Sequence, residues 1–302
     1  MAVDAREQET TSGAKAQGRA IVFLLVCTFG FATMDGLSKL LIVRYPVSEI
    51  MFVRYAFFLV LIVALTGPRN VAARLKVRRP WYQVLRAGSL VADQILFVVG
   101  LSYLALADAH VLISTGPLMV AALSVPFLGE SVGRRRWTAI SVGFLGVVFV
   151  LQPEGDLFRP AALFPLSAAV LFALYQIMTR VVSRTDGQES TLLYTALVGA
   201  VAFGLAAPFG WVMPDATGWL LLSAVTVIGG VAHISLIKAL AYAPAAVLQP
   251  FFYTTLVWSI AVGYLLFDAV PAPITLAGAA VIVGAGLYTL HREQLTSRRA
   301  RP

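Results

Sequence analysis

The sequence predicts an all-α membrane protein with ten transmembrane helices arranged as two inverted five-helix repeats. Three observations lead there. First, 59% of the 302 residues are hydrophobic and only 13% are charged, with a mean hydropathy of +0.83. A water-soluble domain needs about a quarter of its residues charged to cover its surface. Second, the apolar residues fall in runs of about twenty, the length that crosses a bilayer as helix. Third, segments of the first half recur in order in the second half.

The first nineteen residues are polar, small and mixed in charge, and read as a disordered cytoplasmic tail, 1–19. The run after Arg19 has no small-x-small cleavage site, so it is a retained first span over 20–42 rather than a signal peptide. Further spans follow at 47–66, 82–102, 109–129 and 136–152, completing a first repeat over 20–153. The second repeat, 160–290, holds spans at 161–182, 190–210, 217–238, 245–267 and 273–290. A basic tail, 291–302, closes the chain. The connections are too short to hold a soluble domain.

The distribution of bases sets direction. Of the 23 Lys and Arg residues, eighteen fall in segments on the side of the N-terminus and only Arg44 and Arg159 on the other, while Lys39, Arg54 and Arg86 lie within spans. The positive-inside rule then puts both termini in the cytoplasm of a multi-pass membrane protein. The same distribution argues against nucleic acid as a partner, because the bases mark loops and form no continuous face. Cys27 is the only cysteine and lies in the first span, which excludes an internal disulfide and a cysteine metal site. Nothing in the sequence calls for a metal or another cofactor.

The internal repeat is carried by three matches. "LALADAHVL" (104–112) lies over "LAYAPAAVL" (240–248), "FATMDGLSK" (31–39) over "FALYQIMTR" (172–180), and Trp81 over Trp219. An odd number of spans per half makes the second copy enter the membrane from the opposite side. That is the architecture of many secondary transporters, in which the halves exchange conformations to face either compartment.

The stretch "ALADAHVLISTGPLMVAALSVPFLGESVGRRRWTAISVGFLGVVFVLQP" (105–153) resembles the EamA-type drug/metabolite transporters. A turn rich in small residues leads into a proline-containing span that is closed by Gly-Glu, a basic-Trp step and a Gly-rich helix. "MDGLSKLLIVRYPVSEIMFVRY" (34–55) also looks like the first helical hairpin of that family. The resemblance implies a ten-helix inner-membrane carrier, often an exporter of amino acids (aromatic ones included), other metabolites or drugs. The chain departs from the pattern in its second half, where Asp268 stands in the place of Glu130.

Ionisable residues within spans are costly and need a partner or a purpose. Asp35 and Lys39 are one helical turn apart and can neutralise each other, while Glu49 and Arg54 lie at similar depth on the second span. The four read either as a structural ion-pair cluster or as an outer gate. Asp93, mid-span with no base within one turn, reads as a proton carrier or as a neutral carboxyl bonded to a neighbouring helix. Gln94 follows it, and His233 in the matching span of the second half is expected to share its cavity, or to be a packed, neutral imidazole. Glu130, at the end of the fourth span, is expected to be architectural and offset by Arg134 to Arg136.

Gly116-Pro117 interrupts the fourth span and Pro250 the ninth, which points to a central site lined by freed carbonyls. Ser114, Thr115, Tyr175, Gln176, Gln249, Tyr253 and Trp258 are candidate polar tips and aromatic walls. The group suits a small amphipathic solute. The chain has no G-x-x-x-x-G-K-[ST] phosphate loop, so the expected carrier draws on a solute gradient or on a coupled ion such as the proton, and works as a monomer. An intramembrane enzyme is the alternative, but H-E-x-x-H and G-x-S-x-G are absent and neither aspartate has the lead residues of an intramembrane aspartyl protease. A non-transporting sensor or assembly subunit is the remaining class.

Overall fold

The computed structural model describes residues 2–128, 134–151, 160–182, 185–242, 248 and 251–299. Among them all regular structure is helical: α1 (Ala2–Leu41), α2 (Val47–Thr66), α3 (Val71–Arg74), α4 (Pro80–Leu101), α5 (Leu106–Ile113), α6 (Gly116–Leu128) and α7 (Arg134–Leu151) in the first half. The second half supplies α8 (Leu163–Val182), α9 (Gln188–Ala206), α10 (Ala216–Tyr242), α11 (Thr254–Phe267) and α12 (Pro273–Arg299). Seven stretches are long and apolar enough to cross a membrane, at 17–41, 47–66, 80–101, 106–127, 160–179, 189–209 and 216–236. Three shorter apolar helices, at 137–147, 254–267 and 273–288, lie within the remaining expected spans.

α1 begins at Ala2, so the segment read from composition as a disordered tail is helical. Its Ala, Glu and Gln residues are good helix formers, and a formed span supplies the nucleus from which helix propagates. α12 likewise carries the helix through the basic tail to Arg299.

Large apolar side chains point outward along the bundle. Val60, Leu65, Leu205, Leu220 and Leu265 are all more than 60% exposed, which suits a surface solvated by lipid tails. Inside, Phe97, Leu101, Leu106 and Leu112 of the first half pack with Leu256, Val262 and Ile282 of the second. Small residues let helices meet closely: a Cβ added at Gly146 on α7 would sit 2.9 Å from the Gly278 carbonyl oxygen on α12.

The pairing of helices has an internal symmetry. α1 packs on α10 as α8 packs on α4, α1 meets α11 as α8 meets α6, and α4 meets α9 as α10 meets α2. α2 packs on α9 and α7 on α12, pairs that map onto themselves when the halves are exchanged.

The break in the fourth span falls between α5 and α6, where Gly116-Pro117 was expected to free carbonyls. The two hydroxyls beside it turn back onto their own helix instead. Ser114 Oγ donates to the His110 carbonyl at 2.6 Å and Thr115 Oγ1 to the Leu112 carbonyl at 2.8 Å. Hydroxyls one turn from a carbonyl bond back to it, so neither side chain remains as a free polar tip.

Candidate substrate cavity

A partly open cavity lies midway along the bundle, with an empty volume, mouth included, of about 460 Å³. α2 lines it with Arg54, Tyr55, Phe57 and Phe58, and α4 with Leu90 and Gln94, one turn apart. Thr226, Gly229, Gly230 and His233 follow the i, i+3, i+4, i+7 rhythm of one helix face on α10, and α9 adds Thr195.

Arg54 is the charged group of this wall. Its Nη1 reaches only the Met51 sulfur, at 3.5 Å, and no carboxylate of the described residues lies within ion-pair distance. Asp35 acts on it through space. Two buried polar atoms beside it have no partner, the Tyr55 hydroxyl and Gln94 Oε1. The Tyr55 ring stacks on Phe203 with centroids 5.6 Å apart and lies against α9 where Gly199 leaves room for it. His233 Nδ1–H donates to the Gly229 carbonyl at 2.9 Å, and the ring meets Phe31 and Phe58 at 5.0 and 5.8 Å.

The pairings that spacing suggested are not the ones formed. Lys39 does not neutralise Asp35. Its ammonium donates to the Leu101 carbonyl at 2.8 Å and to the Leu104 carbonyl, and lies over the Phe267 ring at 5.7 Å. A cation there satisfies the last carbonyls of α4 and suits the negative end of that helix. Asp35 instead faces His110, with Oδ2 3.4 Å from Nε2 and both side chains almost fully buried. Glu49 does not meet Arg54 either: its Oε2 accepts the Val212 N–H at 2.9 Å, next to the turn before α10.

Asp93 and Gln94 point in different directions, as adjacent helical residues must. Gln94 lines the cavity while Asp93 is buried beside it, with Oδ1 unpartnered. The cavity shared with His233 is therefore Gln94's and not Asp93's. Tyr175 lies beneath the Arg86 guanidinium at 5.2 Å, and Gln176 is partly buried next to it on α8. Tyr253 is buried against Gly286, and Trp258 meets Phe29 edge-on at 5.4 Å; neither lines the cavity. Pro117 stays at the helix break. Glu130, Gln249 and Pro250 lie outside the described residues.

Sequence reading missed how the ends of the cavity are closed. At the end rich in bases, Arg86 is fully buried; Nε donates to Gln83 Oε1 at 3.1 Å, and Nη2 donates to the Thr191 carbonyl at 2.6 Å and to Thr195 Oγ1 at 2.7 Å. Gln83 Nε2 in turn donates to Asp186 Oδ2 at 2.9 Å, and Arg74 pairs with Glu189 at 2.7 Å. At the opposite end, Asp215 caps α10 by accepting the Gly218 N–H at 2.6 Å and takes the Tyr45 hydroxyl at 3.2 Å, with Arg44 at 3.8 Å. The Gly218 N–H above all, then Tyr45 and Arg44, hold the Asp215 carboxyl below its ordinary range. Both sets of contacts join the first half to the second. The rule that flagged Asp35 and Asp93 as charges within spans applies equally to Arg86 and His110 and could have found them.

Comparison with known proteins agrees with a carrier. The chain is 29% identical to a riboflavin transporter of Vibrio cholerae over 284 residues, covering 93% of this chain and 95% of that protein. It is 30% identical to an S-adenosylmethionine uptake transporter of Rickettsia bellii over 283 residues, covering 93% and 96%. A pseudopaline exporter of Pseudomonas aeruginosa is 27% identical over 269 residues, covering 87% and 93%. A solved crystal structure shares the fold with a TM-score of 0.62 and 19% identity, over 97% of this chain and 99% of that one. The model of the EamA-like transporter family matches residues 18–152 and again 159–290, so nearly the whole chain is accounted for twice over by one family unit, and the protein belongs to the EamA-like transporter family.

Proposed function

We propose that the chain is a secondary carrier for a flat, polar heteroaromatic metabolite, of which riboflavin is the first candidate. It works as ten spans in two inverted repeats, with both termini in the cytoplasm of a bacterial cell and the cavity exposed alternately to either side. The observation that carries the substrate reading is Arg54, a cation with no carboxylate partner among the described residues, set among Tyr55, Phe57 and Phe58. An unpaired charge in a membrane interior is expensive, and a solute that accepts its hydrogen bonds removes the expense. The aromatic walls favour a ring that can stack. Gln94 Oε1 adds an unpartnered acceptor, so the cavity offers both donor and acceptor to the edge of a heterocycle bearing C=O and N–H groups.

The names of the relatives support that chemistry, since riboflavin and S-adenosylmethionine each join a heteroaromatic ring to a hydroxylated sugar-derived group. Amino acids, the class expected from the sequence, lack the extended ring edge unless they are aromatic. Uptake is the direction we favour, on the uptake carriers among the relatives; export is the second reading, favoured by the pseudopaline exporter. The symmetry of helix pairing supports the inverted repeat, and direct contacts between the halves at both ends of the cavity suit alternate opening.

The test is counterflow in proteoliposomes with radiolabelled riboflavin, S-adenosylmethionine and tryptophan. Riboflavin is expected to exchange, and Arg54→Gln to reduce that exchange by about a hundredfold, the effect of losing a charge-assisted hydrogen bond in a dry site. Exchange of tryptophan alone, or an Arg54→Gln protein that moves riboflavin like the parent, overturns the reading.

A further inference from the structure

The Asp35–His110 contact has no role in holding the solute, and it is not needed to satisfy Lys39. It joins α1 to α5 within the bundle, with the two side chains only 11% and 5% exposed. The imidazole is held by the Phe97 ring, edge-on at 5.2 Å, and His110 Nε2 makes no hydrogen bond as placed. We propose that Asp35 and His110 together bind one proton, and that this proton travels with the solute, making the carrier a proton symporter. The proposal builds on the carrier reading above.

The argument starts from charge. Between the two ends, the described residues within the helices include three carboxylates (Asp35, Asp93 and Asp108) and two fixed bases (Lys39 and Arg54), while Glu49 and Arg86 sit toward opposite ends. One negative charge is left over in a low-dielectric interior, and a single added proton cancels it. Glu49 is engaged by the Val212 N–H, and Asp108 lies within electrostatic reach of Lys39. The excess therefore falls on Asp35 and Asp93, which repel each other. Of these two, Asp35 has a basic nitrogen at 3.4 Å. A proton on Nε2 turns that contact into a salt-bridged pair of zero net charge, whereas without it the pair carries one negative charge.

Among the described residues, no other ionisable group pairs with the imidazole. α1 contributes Lys39, which is committed to the α4 carbonyls, and α2 contributes Arg54 and Tyr55. Asp93 on α4, Asp108 on α5 itself and His233 on α10 complete the ionisable groups of the centre. α8 brings Tyr175 and, near its end, Arg180, while the bases of α7 sit in its first turn. The tyrosines of α11 and α12, Tyr264 and Tyr288, are about half exposed on the outside.

The link to the solute runs through Arg54. Asp35 acts electrostatically on both Arg54 and His233 across the cavity wall. With the pair unprotonated, the Asp35 charge holds the guanidinium. With the pair protonated, that charge is compensated and Arg54 is free to serve the solute. The proton thus strengthens solute binding, and by reciprocity the solute strengthens proton binding, which is the thermodynamic condition for moving both in one direction.

Two measurements test this, and only one needs the solute. In nanodiscs without any solute, ¹⁵N-histidine NMR can resolve the ring nitrogens, since the chain has three histidines, each identified by a single substitution. His110 is expected to carry protons on both nitrogens in the parent under conditions where it carries only one in Asp35→Asn, because removal of the carboxylate removes what holds the second proton. A neutral His110 in the parent, or the same state in both proteins, overturns the proposal whether or not riboflavin is the solute. In proteoliposomes, a gradient of about one pH unit is expected to drive about tenfold riboflavin accumulation, the limit for one proton per solute. His110→Gln and Asp35→Asn are expected to lose that accumulation but keep equilibrium exchange within about twofold, a small barrier change. Accumulation that survives in His110→Gln and is lost only in Asp93→Asn places the proton elsewhere and overturns the proposal. Failure of riboflavin exchange in the parent counts against the substrate reading alone, and the NMR result then decides the proton site.

Discussion

Two arginines are buried in this bundle, and they live in different surroundings. Arg86, at the end rich in bases, gives hydrogen bonds to Gln83, the Thr191 carbonyl and Thr195, and lies over the Tyr175 ring. Arg54, about mid-bundle, has a sulfur atom for its one hydrogen-bond partner and an open cavity in front of it. The protein meets most of the needs of Arg86, leaving only Nη1 without a hydrogen bond, and gives Arg54 little beyond a sulfur contact at the cavity wall. A buried polar network that is nearly satisfied stiffens an interface, whereas an unsatisfied group marks a place where something else is meant to bind. One is structure across the two halves; the other is recognition.

The largest expected effect tests the structural side of that contrast. Arg86→Met strips partners from Gln83 Oε1 and Thr195 Oγ1 in the interior, so it is expected to lower stability by about 2–6 kcal/mol, from one to three for each orphaned group. Thermal melting in detergent reads it, and an unchanged melting temperature breaks the contrast. Arg54→Met comes next and has the opposite signature. Because the guanidinium has so little to lose, its removal is expected to leave stability unchanged or raise it by about 1 kcal/mol, as when a buried charge gives way to an apolar group. Riboflavin exchange should nevertheless disappear, and a large loss of stability in this variant places Arg54 with Arg86.

The smallest effect belongs to the far end, where Arg44 and Asp215 are both more than 60% exposed. Arg44→Ala is expected to leave the melting temperature where it was, as removal of an exposed ion pair usually does. Asp215 differs through its cap. Its carboxyl is held below the ordinary value of 3.8, so its contribution to stability is present above that pH and is lost as the pH falls through the lower folded value. The gap in melting temperature between the parent and Asp215→Ala should therefore be open at neutral pH and close in acid, below the ordinary carboxylate value. A gap that widens in acid reverses the sign and assigns Asp215 another role.

Much of the fold was legible because one solvent imposes one rule. Apolar runs of fixed length had to be helices, and each of the seven long apolar helices overlaps a run read from the sequence, with starts at most three residues apart. The site was less legible, for two physical reasons. Helical spacing says which residues can meet along one helix, but a long side chain is free to reach a neighbouring helix instead. Lys39 does this, leaving Asp35 to His110. Proline and glycine mark where a helix breaks, but they do not say where the neighbouring hydroxyls turn; Ser114 and Thr115 bond back onto carbonyls of their own helix and take themselves out of the cavity. Arg54 was visible as a charge in a span, yet only the packing of α2 shows that it lacks a carboxylate. The relation between the halves was visible in the repeated motifs and returns in the exchangeable pairing of helices.

That pairing is even-handed, but the furniture of the cavity is not. The first half supplies the guanidinium, the three aromatic rings of α2 and the Gln94 amide, while the second supplies two hydroxyls, two glycines and an imidazole already bonded to its own helix. A solute seated there is gripped from one side and merely enclosed from the other. When the halves rock, the cargo should ride with α2 and α4, and the smooth opposite wall should slide past it, so that release waits on the withdrawal of a cover and not on the breaking of a second grip.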